Sequence, residues 1–179
     1  MAAAITRHER AVSTIAQATD ILPVRFGVVF LTEASLRSNI QSRRALLDAD
    51  FKRIQANEEW GVKVFSLPPR IVARKKPKSG KQYLQAKSAL LKRSRPDKSD
   101  PELLKFAKAL DAISEETAEG GKIAAGRRDL EFQTSLLLKR TNRKRLQTVL
   151  KSYSKKWKNK RQIECTGPWP PFSFVSRSE

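Results

Sequence analysis

Glu131-Phe132-Gln133-Thr134-Ser135-Leu136-Leu137-Leu138-Lys139 is the stretch on which the fold turns. Phe132, Thr134, Leu136 and Leu138 recur at every second position between Gln133, Ser135 and Leu137, the period of a β-strand with one face toward a core. Just downstream, Thr141 or Asn142 can cap a helix in which Leu146, Val149, Leu150, Tyr153 and Trp157 form an apolar stripe under a heavily basic face. Gln162-Ile163-Glu164-Cys165 then reads as a short closing strand. A strand, a helix and a strand are therefore legible in one run.

Working outward, residues 5 to 19 read as a helix, with Ile5, His8, Val12, Ile15 and Ala16 at helical spacing before Leu22-Pro23 ends it. Val24, Phe26, Val28 and Phe30 alternate with Arg25, Gly27 and Val29 as a first strand. Thr32 is an N-cap for a helix whose stripe is Leu36, Ile40, Leu47, Phe51 and Ile54. After Asn57, the residues Trp60, Val62 and Val64 alternate as a second strand that Leu67-Pro68-Pro69 stops. A basic loop follows from Arg70. A helix from Ser79 carries Tyr83, Leu84, Leu90 and Leu91, and Pro96 separates it from another capped by Asp100, with Pro101 at its first position. Leu103, Leu104, Ala107, Leu110 and Ile113 line that helix, Gly120-Gly121 ends it, and residues 122 to 130 read as loop. The order predicts an α+β fold, the split β-α-β ferredoxin-like arrangement with a helical insertion after its second strand. Its sheet is expected to be antiparallel, with strands 24–30 and 131–139 central and both major helices on one face. Residues 1–165 are expected to form one domain, 70–121 its basic helical insertion, and 166–179 a tail packed on it.

The chain has 179 residues, 39% hydrophobic and 7% aromatic, enough for one real core. No apolar run reaches bilayer-spanning length and the start lacks the apolar core of a signal peptide, so a cytoplasmic location without membrane contact is expected. Cys165 is the only cysteine, which excludes an intramolecular disulfide, and a packed residue at a strand end is the expectation. The net charge of +19 exceeds what solubility requires and attracts polyanions at low salt. It is clustered: Arg70 to Lys98 holds eleven basic residues against Asp97 alone, and Lys139 to Arg161 holds eleven against no acid. Within the second tract Arg143, Lys144, Lys151, Lys155 and Lys158 are candidates for a basic surface.

The end, Thr166-Gly167-Pro168-Trp169-Pro170-Pro171-Phe172-Ser173-Phe174-Val175, sets three prolines among three aromatics. Proline fixes φ and removes donors, so this tail enters docking already partly ordered. Together with Leu22-Pro23-Val24-Arg25-Phe26-Gly27-Val28-Val29-Phe30, with Glu59-Trp60-Gly61-Val62-Lys63-Val64 and with His8 in the preceding helix, it resembles the gas vesicle protein F/L family. The matching blocks run from about residue 8 to residue 175, and the tail is the most specific of them. The resemblance implies a modified ferredoxin-like domain in a non-enzymatic accessory protein of gas vesicle formation, at the vesicle, without cofactor. Its implied partners are the small hydrophobic shell protein, other vesicle accessory proteins, or both, and its motif residues are Arg25, Phe26, Gly27, Trp60, Gly167, Pro168, Trp169, Pro170, Pro171, Phe172 and Phe174. The tail aromatics are expected to seal the open sheet face in preference to touching a partner, because exposed contiguous aromatics invite aggregation. The sequence also departs from the family. A further α+β domain usually precedes the histidine-bearing helix and is expected to be lacking here. Val28 stands where threonine is frequent, Cys165 stands for an aliphatic residue, and the basic excess points to an acidic companion.

Catalysis and metal binding find little support. One histidine and one cysteine far apart cannot close a zinc site. His8 shares a helix face with Ile5, Val12 and Ile15, which favours packing over general-base work. Glu58-Glu59 and Glu115-Glu116 are expected at a helix end and on a solvated face, and Ser79-Gly80-Lys81 lacks the rest of a phosphate loop. Arg25 is expected to pair with a carboxylate such as Glu59. The remaining alternative is a basic ferredoxin-like module binding RNA or another polyanion. It is disfavoured because the outward positions Arg25, Gly27, Val29, Gln133, Ser135 and Leu137 offer no aromatic platform for bases.

Overall fold

A computed structural model of the chain describes residues 1–67, 79, 100–119, 127 and 129–176. The Pro68-Pro69 stop, the basic loop from Arg70, the helix through Tyr83 to Leu91, the Pro96 break, Gly120-Gly121 and most of 122–130 lie outside the described residues.

Helix α1 spans Ala2–Ala18, α2 Glu33–Ser42 and α3 Arg44–Ile54. Strand β1 (Asn57–Ser66) leads to α4 (Pro101–Asp111), β2 (Glu116–Glu119) and β3 (Leu130–Lys139). A short 3-10 turn then opens α5 (Arg143–Lys156), and β4 (Arg161–Trp169) closes the sheet. The sheet order is β2-β3-β1-β4 and every neighbouring pair is antiparallel. From residue 57 onward the elements therefore follow the β-α-β-β-α-β order of a split β-α-β unit.

Several expectations are corrected. Residues 24–30 form no strand. Gly27 sits at φ +94 in a turn, and no described strand lies beside the segment to pair with it. The central strands are β1 and β3. The helix read as continuous over 33–54 breaks at Arg43, after the Ser42 hydroxyl has bonded back to Asn39 O at 3.0 Å. Glu116–Glu119, inside the stretch read as helical, is the edge strand β2, pairing Ala118 with Ser135. The helices sharing one sheet face are α4 and α5, because α4 carries three buried residues of its own, Leu103, Phe106 and Leu110.

The two faces hold different cores. Alternation sends Val62, Val64, Leu136 and Leu138 against α4 and α5, where Phe106 meets Phe132, Tyr153 and Trp157 at ring separations of 5.8, 4.8 and 5.1 Å. Asp100 caps α4 through Glu102 N–H at 2.8 Å, and its other oxygen accepts from Arg161, which also holds Glu131 and stacks over Trp157. On the opposite face Leu137 is fully buried beneath Ile54 of α3 and Phe174 of the tail.

Candidate functional site

The tail is held by two buried carboxylates. Glu59, 8% exposed at the start of β1, accepts from Ser173 N–H at 2.8 Å and from the Ser173 hydroxyl at 2.6 Å. Asp50 of α3 accepts from Ser176 N–H at 2.8 Å and from its hydroxyl at 3.0 Å. Arg53 bridges Asp50, Glu116 and the carbonyl of Phe174, and Arg43 donates to Ser176 O at 3.2 Å. Burial pushes the Asp50 carboxyl up, but the bonds from Arg53 and Ser176 outweigh it and hold the group below its ordinary value.

Two of the sequence motifs meet at the β1–β4 seam. Gly61 lies opposite Thr166 and Glu59 opposite Trp169. Gly167, preceding Pro168 across a cis bond, has φ +134, and a Cβ there would lie 2.8 Å from Glu59 O and 3.1 Å from the Trp60 ring. The Trp60 indole donates to Glu58 at 2.7 Å, and the Arg143 guanidinium forks onto both Glu58 oxygens. The bond to Glu58 raises the Arg143 pKa. Glu58 and Glu59 are thus buried anchors at a strand start instead of a pair at a helix end, and Arg143 is committed internally. Sequence reasoning missed that role because their partners lie 85 and 114 positions away.

Pro170, Pro171 and Phe174 are buried and Phe172 is half-buried, whereas Trp169 remains 49% exposed. Trp169 and Pro168 border an open cleft of about 440 Å³ whose other walls come from the C-terminal end of α1, Ile21, Asn57 and Arg140. Arg140 is paired there with Asp20. The arrangement can hold an apolar side chain against Trp169.

The remaining candidates sit apart from this seam. Arg25 is exposed and Glu59 is taken by Ser173, so the expected Arg25–Glu59 pair does not form. Phe26 is 47% exposed and makes an edge contact with His8, whose ring nitrogen bonds with Val24 O at 2.9 Å. Cys165 lies on β4 opposite Val62, and burial pushes its thiol up to about 11. Lys144, Lys151, Lys155 and Lys158 line the outer side of α5 and its exit, exposed and without an ion pair among the described residues. Among those residues no group of three or more His, Cys, Asp or Glu is placed to hold a metal, and no helix is long and apolar enough to cross a membrane.

Comparison with known proteins adds three findings. The family model described as "Gas vesicle synthesis protein GvpL/GvpF" matches residues 2–176. The fold is similar to the crystal structure of the gas vesicle protein GvpF from Anabaena sp. PCC7120, with a TM-score of 0.70 at 18% identity, covering 96% of this chain and 77% of that one. It is also similar to the crystal structure of GvpF from Microcystis aeruginosa, with a TM-score of 0.68 at 16% identity, covering 95% and 76%. No curated protein sequence matches the chain.

Proposed function

This chain belongs to the gas vesicle synthesis protein GvpL/GvpF family, and from that premise we propose that it is a non-enzymatic, cytoplasmic accessory protein that binds vesicle proteins during assembly. It holds a shell subunit or another accessory protein by apolar surface and limits premature aggregation until that subunit joins a growing edge. The observation that carries this reading is the division of the tail. Pro170, Pro171 and Phe174 are spent on internal packing, while Trp169 stands at the cleft with about half its surface free. A half-exposed tryptophan on a rigid proline frame is a typical interface anchor, amphipathic and with little conformational entropy left to lose. The exposed lysines of α5 add steering toward an acidic partner.

RNA binding through the sheet is disfavoured by the same packing, since Ile54 and Phe174 cover the face that would have to stack bases.

The test is co-expression with the vesicle shell and accessory proteins, nuclease digestion, and pull-down at moderately high salt. Retention of a vesicle protein is the expected result, with Trp169→Ala lowering it about tenfold or more, the size of a buried aromatic anchor. Loss of every vesicle partner, with nucleic acid bound in the undigested control, would sink the assembly role.

A further inference from the structure

Helix α5 is charged against its own stability. Its first turn is Arg143, Lys144 and Arg145 with no acid among them, at the end where the helix dipole disfavours cations. Glu58 answers Arg143, but Lys144 and Arg145 have no ion pair among the described residues. Further along, Lys151 and Lys155 stand four apart, a spacing at which like charges repel across one turn. A chain already at +19 does not need these charges for solubility.

The lysines also share a side. At about 100° per residue, Lys144, Lys151 and Lys155 lie within about 40° of one another, opposite the buried Leu146 and Trp157. All three are exposed, and Lys158 continues the line past the helix end. Thr148 stands between them, a small residue whose hydroxyl is turned back onto Lys144 O at 2.9 Å. The result is a row of cations along roughly 16 Å of a rigid helix, spaced by about 10.5 and about 6 Å.

The chain's own acids do not answer this row. Those that meet the 139–161 tract are spent on other cations: Glu115 on Lys139, Asp20 on Arg140, Glu58 on Arg143, Glu102 on Lys156, and Asp100 with Glu131 on Arg161. Outside the described residues the sequence holds two acids, Asp97 and Glu179. A second copy carries the same +19 and is repelled. The occupant must therefore bring carboxylates or phosphates of its own. The division of the cations decides between these. Guanidinium forks are the groups best suited to phosphate, yet Arg140, Arg143 and Arg161 are all engaged by carboxylates of this chain, which leaves lysines with Arg145 beside them. The aromatic rings of this stretch, Tyr153 and Trp157, pack on Phe106 and offer bases no stacking platform.

We propose that the outer side of α5 seats an acidic helix of a partner protein, one whose carboxylates lie along a single face at the spacing of Lys144, Lys151 and Lys155. Helix on helix keeps that register, because residues seven and four apart rise by equal steps on both partners; an extended strand, rising about 3.3 Å per residue, falls out of step. This rests on the accessory-protein reading and names the chemistry of a partner.

The experiment titrates the full chain with Ala-rich helical peptides of about 20 residues at about 0.15 M salt. One peptide carries its Glu residues on a single face, a second has the same composition with Glu spread around the helix, and a third carries Lys in place of Glu on the single face. The single-face Glu peptide is expected to bind about tenfold more tightly than the spread one and to shift the amide resonances of residues 144–158. Lys151→Glu with Lys155→Glu should lose that peptide and gain the Lys peptide, while the unfolding midpoint stays put because both side chains are exposed. Lys151→Gln with Lys155→Gln should lose the Glu peptide without gaining the Lys one. Equal binding of the two Glu peptides overturns the proposal, since bulk charge then suffices. So does a short RNA duplex whose binding is abolished by the same charge reversal, which assigns the row to phosphates. Pull-down with co-expressed vesicle proteins at the same salt separates the two readings. Vesicle partners captured equally by wild type and by the charge-reversed chain overturn the helix seat and leave the assembly role standing, whereas binding of the single-face peptide without any captured vesicle protein supports the seat and overturns the assembly role.

Discussion

Asp50 and Glu59 show how two side chains decide the course of the C-terminus. Each is buried and each accepts a backbone N–H and a hydroxyl from the tail, at Ser176 and Ser173 respectively. Asp50→Asn removes the charge that Arg53 and Ser176 answer, and should lower stability by about 1–3 kcal/mol in urea unfolding, the cost of breaking a charge-assisted buried contact. The pH dependence follows from the direction of the shift. Asp50 binds its proton less readily folded than unfolded, so its contribution is fully present above the ordinary carboxylate pKa of about 4 and fades as pH falls through the lower folded value. Acid titration of wild type against Asp50→Asn should show the two stabilities converging in that range; parallel curves would deny Asp50 the role. None of this was legible locally. Glu58-Glu59 reads locally as an acidic pair at a helix end, because what makes a carboxylate an anchor is a partner about a hundred positions away.

At the scale of elements, β3 and α5 were readable and the segment at 24–30 was not, although its alternation is as clear. Phe132 to Leu138 alternates beside strands on both sides, whereas Val24 to Phe30 alternates beside none. Periodicity tells which side chains share a face; it does not tell whether a ladder exists to join. Helix α4 makes the complementary point. Its Asp100 cap and Pro101 start follow from local chemistry, yet the helix reads as an insertion until Phe106 is seen at 0% exposure under three other rings. Phe106→Ala should therefore cost about 3–5 kcal/mol in chemical denaturation, as large aromatic truncations in packed cores do. Leu104→Ala, on the exposed side of the same helix, should stay within about 0.5 kcal/mol. Equal effects at the two positions would mean that α4 does not pack as described.

For the whole molecule the dominant quantity is a net charge of +19 on a fold whose buried acids Asp50 and Glu58 are paired with arginines and whose buried Glu59 is held by Ser173. The excess at the surface is cationic, including Lys144, Lys151 and Lys155 along α5 and Lys158 just beyond it. Changing these four to Gln should slow association with poly-glutamate several-fold at low ionic strength, an effect that screening removes by about 0.5 M salt, while the thermal midpoint stays put. A midpoint that falls with the substitution would instead make the stripe part of the fold. The strands β1, β3 and β4, the helices α4 and α5, the caps at Thr32 and Asp100 and the strength of the charge are local matters, written in spacing and composition, whereas the edge strand β2 reads locally as helix. Which strands are central, that Leu137 is covered on the second face, and that the tail ends on Asp50 and Glu59 depend on contacts between residues far apart in the chain. Apolar spacing selects a face for each element, and only packing in three dimensions selects what that face meets.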